Sequence, residues 1–472
     1  MRQSERTRFN GMLCAAAAVT LVCMQCLQVR AQNSQTPDLQ ALKAKFQKLE
    51  QEMEDLKGEI DAIEQSQPNP LAQAVGELVT PPPPPTENAK ASTEQERLEG
   101  RIELYGFVML DSGYDFKTND PNWFDVMRPT KLPAFPGEFA PDGKVYFGVR
   151  QTRFGVKTAT PTPMGDLKAQ FEFELFGTGV DAGQTTFRLR QAYGELGRFG
   201  AGQTWSPFMD IDVFPNSLEY WGPNGMVFYR NVQFRWMPIR NSGLHLTFAA
   251  ERPGATADQG VYSDRIELQK VTPQFNMPDL SWQLRLIREW GYVQTAGIFR
   301  KISWVDNGNG PYNLSGTALG WGVNSSSNLK LGSNSVARLQ VVYGHGIENY
   351  MNDAPIDIGI QNNFGNPLTP IKGVALPVLG VVSFLDHTWG PRFTSTAGFS
   401  MVNIWNSNAQ LPADFHQGYY SLANLLYHPL PRVTMGGEFQ FGRRVNFSDG
   451  FNANDYRLQF GFKYDWSKAF EY

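Results

Sequence analysis

The end of the chain constrains the fold more than any other stretch. In Asn454–Tyr472, the residues Tyr456, Leu458, Phe460, Phe462, Tyr464 and Trp466 occupy alternate positions, and Arg457, Gln459, Gly461, Lys463 and Asp465 sit between them. Successive side chains of a β-strand point to opposite faces. The segment therefore carries one aromatic face and one charged, polar face. Two architectures use such a strand. A soluble sandwich hides the greasy face in a core; a membrane barrel turns it to lipid and lets the polar face line a lumen.

Composition narrows the choice. Hydrophobic residues make 41% of the 472, aromatic residues 13% and charged residues 19%. Outside the N-terminus no apolar run approaches the ~20 residues of a spanning helix, so a closed barrel is the remaining membrane option. Phe470 and Tyr472 continue the aromatic parity to the last residue. This ending looks like a barrel assembly signal, with Tyr where Phe is usual.

The first hundred residues read differently. Arg2, Arg6 and Arg8 precede an apolar stretch over 12–27 and then Val29-Arg30-Ala31, the pattern of a secretory signal peptide with cleavage expected after Ala31. Cys14, Cys23 and Cys26 all lie inside it, preceded by no lipobox, so residues 32–472 carry no disulfide framework or thiolate metal site. Removing 1–31, with four Arg and one Glu, takes the formal charge from −4 to −7, a mild acidity that gives no hint of nucleic-acid binding. Over 32–65, Leu39, Leu42, Phe46, Leu49, Met53, Leu56, Ile60 and Ile63 recur at spacings of 3 and 4 in strict alternation. That is the a/d seam of a periplasmic coiled coil, and so an oligomer, although the residues do not choose between dimer and trimer. A lone amphipathic helix on a globular core is the alternative. Residues 66–100, with Pro68, Pro70 and the run Pro81–Pro85, read as an extended tether.

From Arg101 to the end, sixteen alternating segments are expected: 101–113, 144–157, 166–176, 186–196, 199–205, 227–237, 244–251, 281–289, 292–304, 317–331, 336–346, 374–386, 393–404, 417–427, 432–444 and 455–466. The connections alternate long and short. Residues 114–143, 206–226, 252–280 and 347–373 are long, whereas Gly197-Arg198, Trp290-Gly291, 332–335 and 428–431 are short. Up-and-down strands would put every long loop at one end, as in outer-membrane barrels. Two places strain the pattern. Asp264–Val271 could be an extra strand segment, and Val145, Phe147 and Val149 share parity with Arg153, which implies a bulge near Arg150.

Parity also assigns the lumen. Arg188, Arg190, Arg235, Arg285, Arg338, Arg457 and Lys463 face inward, against Glu172, Glu174, Glu438 and Asp465. Guanidinium groups lining a narrow channel attract carboxylates or phosphates. The competing reading is that Glu172 and Glu174 neutralise Arg188 and Arg190 as cross-strand pairs. Residues 206–226 carry Asp210, Asp212 and Glu219 among Phe208, Phe214, Tyr220 and Trp221, an apolar content that favours a loop inserted into the pore over an ordinary external loop.

With these residues in view, the chain resembles the DcaP-like family of outer-membrane porins. The resemblance rests on the coiled coil followed by LYGFVMLDSGYDF (104–116), TRFGVKTATP (152–161), FRLRQAYGEL (187–196) and GAGQTWSPFMD (200–210). It implies a homotrimer of sixteen-stranded barrels in outer-membrane lipid, admitting dicarboxylates and similar small anionic solutes. Arg153, Arg188 and Arg190 match family arginines, and Gln203-Thr204 opens the constriction loop. The rest of that loop and the external loops match poorly.

Three rivals remain. A phosphate-selective or general porin shares the architecture, and an envelope tether would use the barrel only as an anchor. An enzyme is disfavoured because His245, His345, His387, His416 and His428 are scattered, with no catalytic or paired-His metal spacing. No cofactor is called for, and no partner of the coiled coil is indicated.

Overall fold

A computed structural model describes residues 100–471, together with Lys48 and Gln51, both helical. The signal peptide, residues 66–99 of the tether and the heptad positions lie outside the described residues.

Among the described residues there are twenty strands. In chain order they are β1 (Arg101–Asp115), β2 (Lys144–Gly148), β3 (Arg153–Thr160), β4 (Leu167–Phe176), β5 (Thr185–Leu196), β6 (Phe199–Trp205) and β7 (Arg230–Arg240). There follow β8 (Leu244–Glu251), β9 (Val271–Pro273), β10 (Asp279–Arg288), β11 (Gly291–Asp306), β12 (Gly316–Leu331) and β13 (Ser335–His345). The series ends with β14 (Ile358–Asn362), β15 (Ile371–Ala375), β16 (Pro377–Gly390), β17 (Phe393–Ile404), β18 (Phe415–Tyr427), β19 (Val433–Asn446) and β20 (Asn452–Glu471). β14 and β15 form a separate hairpin within a long loop. The other eighteen make one antiparallel sheet, which closes where β20 pairs with β1 from Arg101↔Glu471 to Asp115↔Arg457. β2 and β3 are one broken stave along β1, and β9 and β10 are one along β11, so the barrel has sixteen staves.

Both irregular places have a local cause. Phe107 pairs with Arg153 and Asp111 with Gly148, so four steps on β1 face five on its partner. The extra residue is a bulge, and it turns Arg150 inward to pair with Asp125 at 2.5 Å and to donate to the Gly177 carbonyl at 2.9 Å. Around Asp264–Val271 the chain forms a short 3-10 helix over Ile266–Lys270, and the added strand starts only at Val271.

The outward face is greasy throughout. Phe171, Phe187, Phe234, Trp282, Leu284, Phe439, Phe460 and Tyr464 are all exposed. Each would gain about 1.5–3 kcal/mol from a nonpolar surrounding, and a closed barrel supplies that surrounding only as lipid.

The interior is divided. On β13, β16, β17 and β18 the inward residues Val342, Val378, Val382, Phe384, Val402, Ile404, Tyr420 and Leu422 are themselves apolar and buried. They pack against Phe208, Met209, Val213 and Met226 of the 206–226 loop, and against Ile347, Tyr350, Met351 and Leu376 of a second loop. One half of the lumen is thus a hydrophobic core. Glu172, Glu174 and the arginines around them lie elsewhere on the wall, although Arg338 and Asp386 pair on β13 and β16 themselves.

Candidate permeation site and constriction loop

The 206–226 loop is pinned inside the barrel at both ends. Asp210 is buried and pairs with Arg285 at 2.5 Å; it also accepts hydrogen bonds from Tyr292 Oη at 2.8 Å and Ser326 Oγ at 2.6 Å. Arg285 reaches Asp212 as well, at 2.5 Å, while Arg338 pairs with Asp386 at 2.5 Å and donates to the Asp212 carbonyl. Farther along, the Leu218 and Glu219 amides donate to Glu438 at 2.8 and 3.2 Å. Gly225 then donates to Ser400 Oγ at 2.9 Å, so close to the wall that a Cβ there would lie 1.9 Å from the Met401 carbonyl oxygen. Only a glycine lets the backbone leave the lumen at this point.

Two of the three loop acids therefore anchor instead of facing water. Only Asp212, whose side chain is 50% exposed, still looks into the channel. Glu219 accepts from the Met127 and Gly222 amides, yet burial and the neighbouring Glu438 push its carboxyl up to about 7. Tyr420 and Arg457 also face this group. A carboxyl whose folded pKa lies above the ordinary 4.5 holds a proton that the unfolded chain has lost between those values. Its contribution is full below about 4.5 and disappears as pH rises through about 7. Loop docking is therefore expected to loosen between pH 5 and 8, read as rising open-channel current noise, and Glu219→Gln should remove that dependence. Equal noise at both pH values in the native protein refutes the assignment.

The charged half is built around Glu174. Arg190 binds it at 2.6 Å and binds Glu172 at 2.7 Å. Arg153 lies 3.4 Å from Glu174, Arg188 3.6 Å and Arg230 3.9 Å, and Tyr220 Oη donates to it. Four guanidinium groups thus share two carboxylates. The cross-strand neutralisation expected for Arg190 is present, and a surplus of positive charge remains around it. Above lies a polar cavity of about 340 Å³ lined by Arg128, Arg188, Arg230, Gln203, Tyr220 and Tyr229 among others.

The structure thus brings together Arg153, Arg188 and Arg190 of the expected set. It places Arg285 and Arg338 at the loop anchors, and Arg235 against Gln233 and the Trp205 carbonyl. Arg457, read as a lumen base, is buried against Asp115 at 2.6 Å. Arg128 and Arg230 escaped parity. Arg128 sits in a loop between Trp123 and Trp221, 4.3 and 4.0 Å from their ring centres, and pairs with Asp353 at 2.9 Å. Arg230 opens β7 on the outward parity, and the chain's bend into the loop turns it towards Trp205 and Glu174.

The geometry can be set beside known proteins. The crystal structure of the outer membrane channel DcaP of Acinetobacter baumannii superposes with a TM-score of 0.63 at 18% identity, covering 78% of this chain and 98% of that one. An anion-selective porin from Comamonas acidovorans gives 0.48 at 12%, covering 78% and 100%. OmpT of Vibrio cholerae, solved in a trimer form, gives 0.46 at 12%, covering 78% and 99%. A comparison with curated proteins found no match. The DcaP outer membrane protein family matches residues 24–354, well over half of the chain. Sixteen closed staves, an inserted loop and this match together place the chain in the DcaP outer membrane protein family, as an outer-membrane channel.

Proposed function

We propose that the channel passes small anions by diffusion, dicarboxylates above all. The observation that carries this reading is the four-to-two excess of Arg153, Arg188, Arg190 and Arg230 over Glu172 and Glu174 beside the open half of the lumen. Two guanidinium groups at the cavity wall, Arg188 and Arg230, offer forks that match carboxylate geometry. A solute with a carboxylate at each end engages both; a monocarboxylate engages one. The same reading makes the assembly a homotrimer, its seam formed by Leu39, Leu42, Phe46, Leu49, Met53, Leu56, Ile60 and Ile63, in a periplasmic coiled coil released from its signal peptide at Ala31.

The test is a reversal potential across a planar bilayer under a tenfold salt gradient, followed by a solute panel. Anion preference is expected, with succinate-class dicarboxylates blocking chloride current at lower concentration than acetate-class monocarboxylates. Inorganic phosphate blocking better than either would favour the phosphate-selective alternative. A cation-selective reversal potential would end the proposal.

A further inference from the structure

Below the Glu174 cluster, towards the short turns, the lumen wall carries two more polar cavities. The upper, about 320 Å³, includes Arg153, Lys463, Phe107 and Glu172. The lower, about 370 Å³, includes Lys157, Lys168, Arg101, Arg240, Glu103 and Glu195. Tyr105 borders the upper one, and its ring lies over the inward face of β3 between Arg153 and Lys157. What lets it lie there is Gly155, the one inward residue between those two cations. A Cβ at Gly155 would sit 2.3–2.6 Å from Tyr105 ring and hydroxyl atoms. The ring is held from its far side, where Tyr105 Oη donates to Glu172 Oε2 at 2.9 Å and accepts from Gln170 Nε2 at 2.7 Å.

The charges divide at this ring. Above it, Arg153 pairs with Glu174 and Lys463 with Asp465 at 3.0 Å, and both cations rest on the Phe107 ring. Below it, Arg240 is taken by Glu195 at 2.7 Å, Arg101 faces Glu103 at 3.9 Å and Lys168 faces Asp166 at 3.3 Å. Lys157 has no ion pair among the described residues; its ammonium rests 4.6 Å from the centre of the Tyr105 ring. The four residue steps from Arg153 to Lys157 span roughly 13 Å along the strand.

We propose that Tyr105 divides the short-turn half of the lumen into two anion-holding steps, with Lys157 as the receiving cation of the lower one. An anion leaving Arg153 passes over the ring edge to Lys157 before reaching the mouth. Two weak adjacent sites let a solute bind well enough to enter and leave quickly. This step rests on the anion-channel reading, and the experiment separates the two.

Single-channel currents would be recorded for the native protein and for Tyr105→Ala, Tyr105→Phe, Gly155→Ala and Lys157→Gln. Tyr105→Ala should merge the cavities and raise conductance severalfold with anion preference kept. Tyr105→Phe, which keeps the ring, should stay within about twofold of native. Gly155→Ala should push the ring into the lumen and lower conductance. Lys157→Gln should weaken anion preference and make the current rectify, because charge is lost at one mouth only. If the native channel prefers anions but Tyr105→Ala conducts like it and Lys157→Gln neither rectifies nor loses preference, the two-step route is wrong. If the native channel lacks anion preference, the broader reading has failed first.

Discussion

Asp210→Ala is expected to produce the largest change in conductance of any single substitution in the constriction loop. Asp210 is 1% exposed and satisfies Arg285, Tyr292 and Ser326 at once. Removing one partner of a buried pair costs about 3–5 kcal/mol when the other charge is left uncompensated, an upper bound here because Arg285 keeps Asp212 and is itself 15% exposed. By the rule that 1.4 kcal/mol is tenfold, the undocked population of that end rises by at most a factor of roughly a hundred to a few thousand. Arg285 keeps Asp212, so the loop end should swing without unfolding the barrel. The readout is a broadened conductance histogram with a larger mean level. Arg285→Met combined with Asp210→Ala should recover part of the loss, since removing both charges costs less than stranding one. A narrow histogram at the native level in Asp210→Ala would show that this anchor does not hold the loop.

The second large effect is on selectivity. Arg188→Glu with Arg230→Gln changes the local charge by three, turning an excess of two positive groups around Glu172 and Glu174 into a deficit of one. Arg190 stays in place, since it binds both carboxylates at 2.6–2.7 Å and holds the wall together. Arg188, its side chain 28% exposed, acts most strongly on permeant ions at low salt, where the Debye length is about 30 Å at 0.01 M against 3 Å at 1 M, whereas Arg230, at 6%, is screened less. The reversal potential is therefore expected to change sign at low salt and to approach the native value at high salt. Unchanged anion preference at low salt would mean that these two arginines do not set it.

The staves were legible because one physical rule covers them: in a sheet between lipid and water, every second side chain must suit each medium. That rule located the sixteen staves, and the alternation of loop lengths located their ends. It also placed a bulge near Arg150, where Val145, Phe147 and Val149 fell out of step with Arg153. The rule stops where the inward face meets protein instead of water. Along β16, β17 and β18, Val378, Val382, Val402, Ile404 and Leu422 are apolar on the inside because loop residues Phe208, Val213 and Met226 cover them. Such strands lose their alternation, and that loss itself marks where the loop rests.

The residues of the site were only half legible, for a related reason. Alternation says which way a side chain points and is silent on what it meets. It picked out Arg188 and Arg190 together with the carboxylates Glu172 and Glu174, and it allowed either neutralisation or an open basic wall; Arg153, out of step with its own strand, came from the family resemblance alone. Distance settled that both hold at once: Arg190 is spent on two acids, and the others share what is left. Arg128 and Arg230 come from a loop and from a strand's first residue, where the period of two has no authority. Chain order alone thus dictated a closed sheet with greasy outside and long loops at one rim, because local sterics and solvent set those. Which charges remain unpaired, and how much of the lumen stays open, depends on contacts between residues from 16 to 225 positions apart, and only the folded barrel decides them.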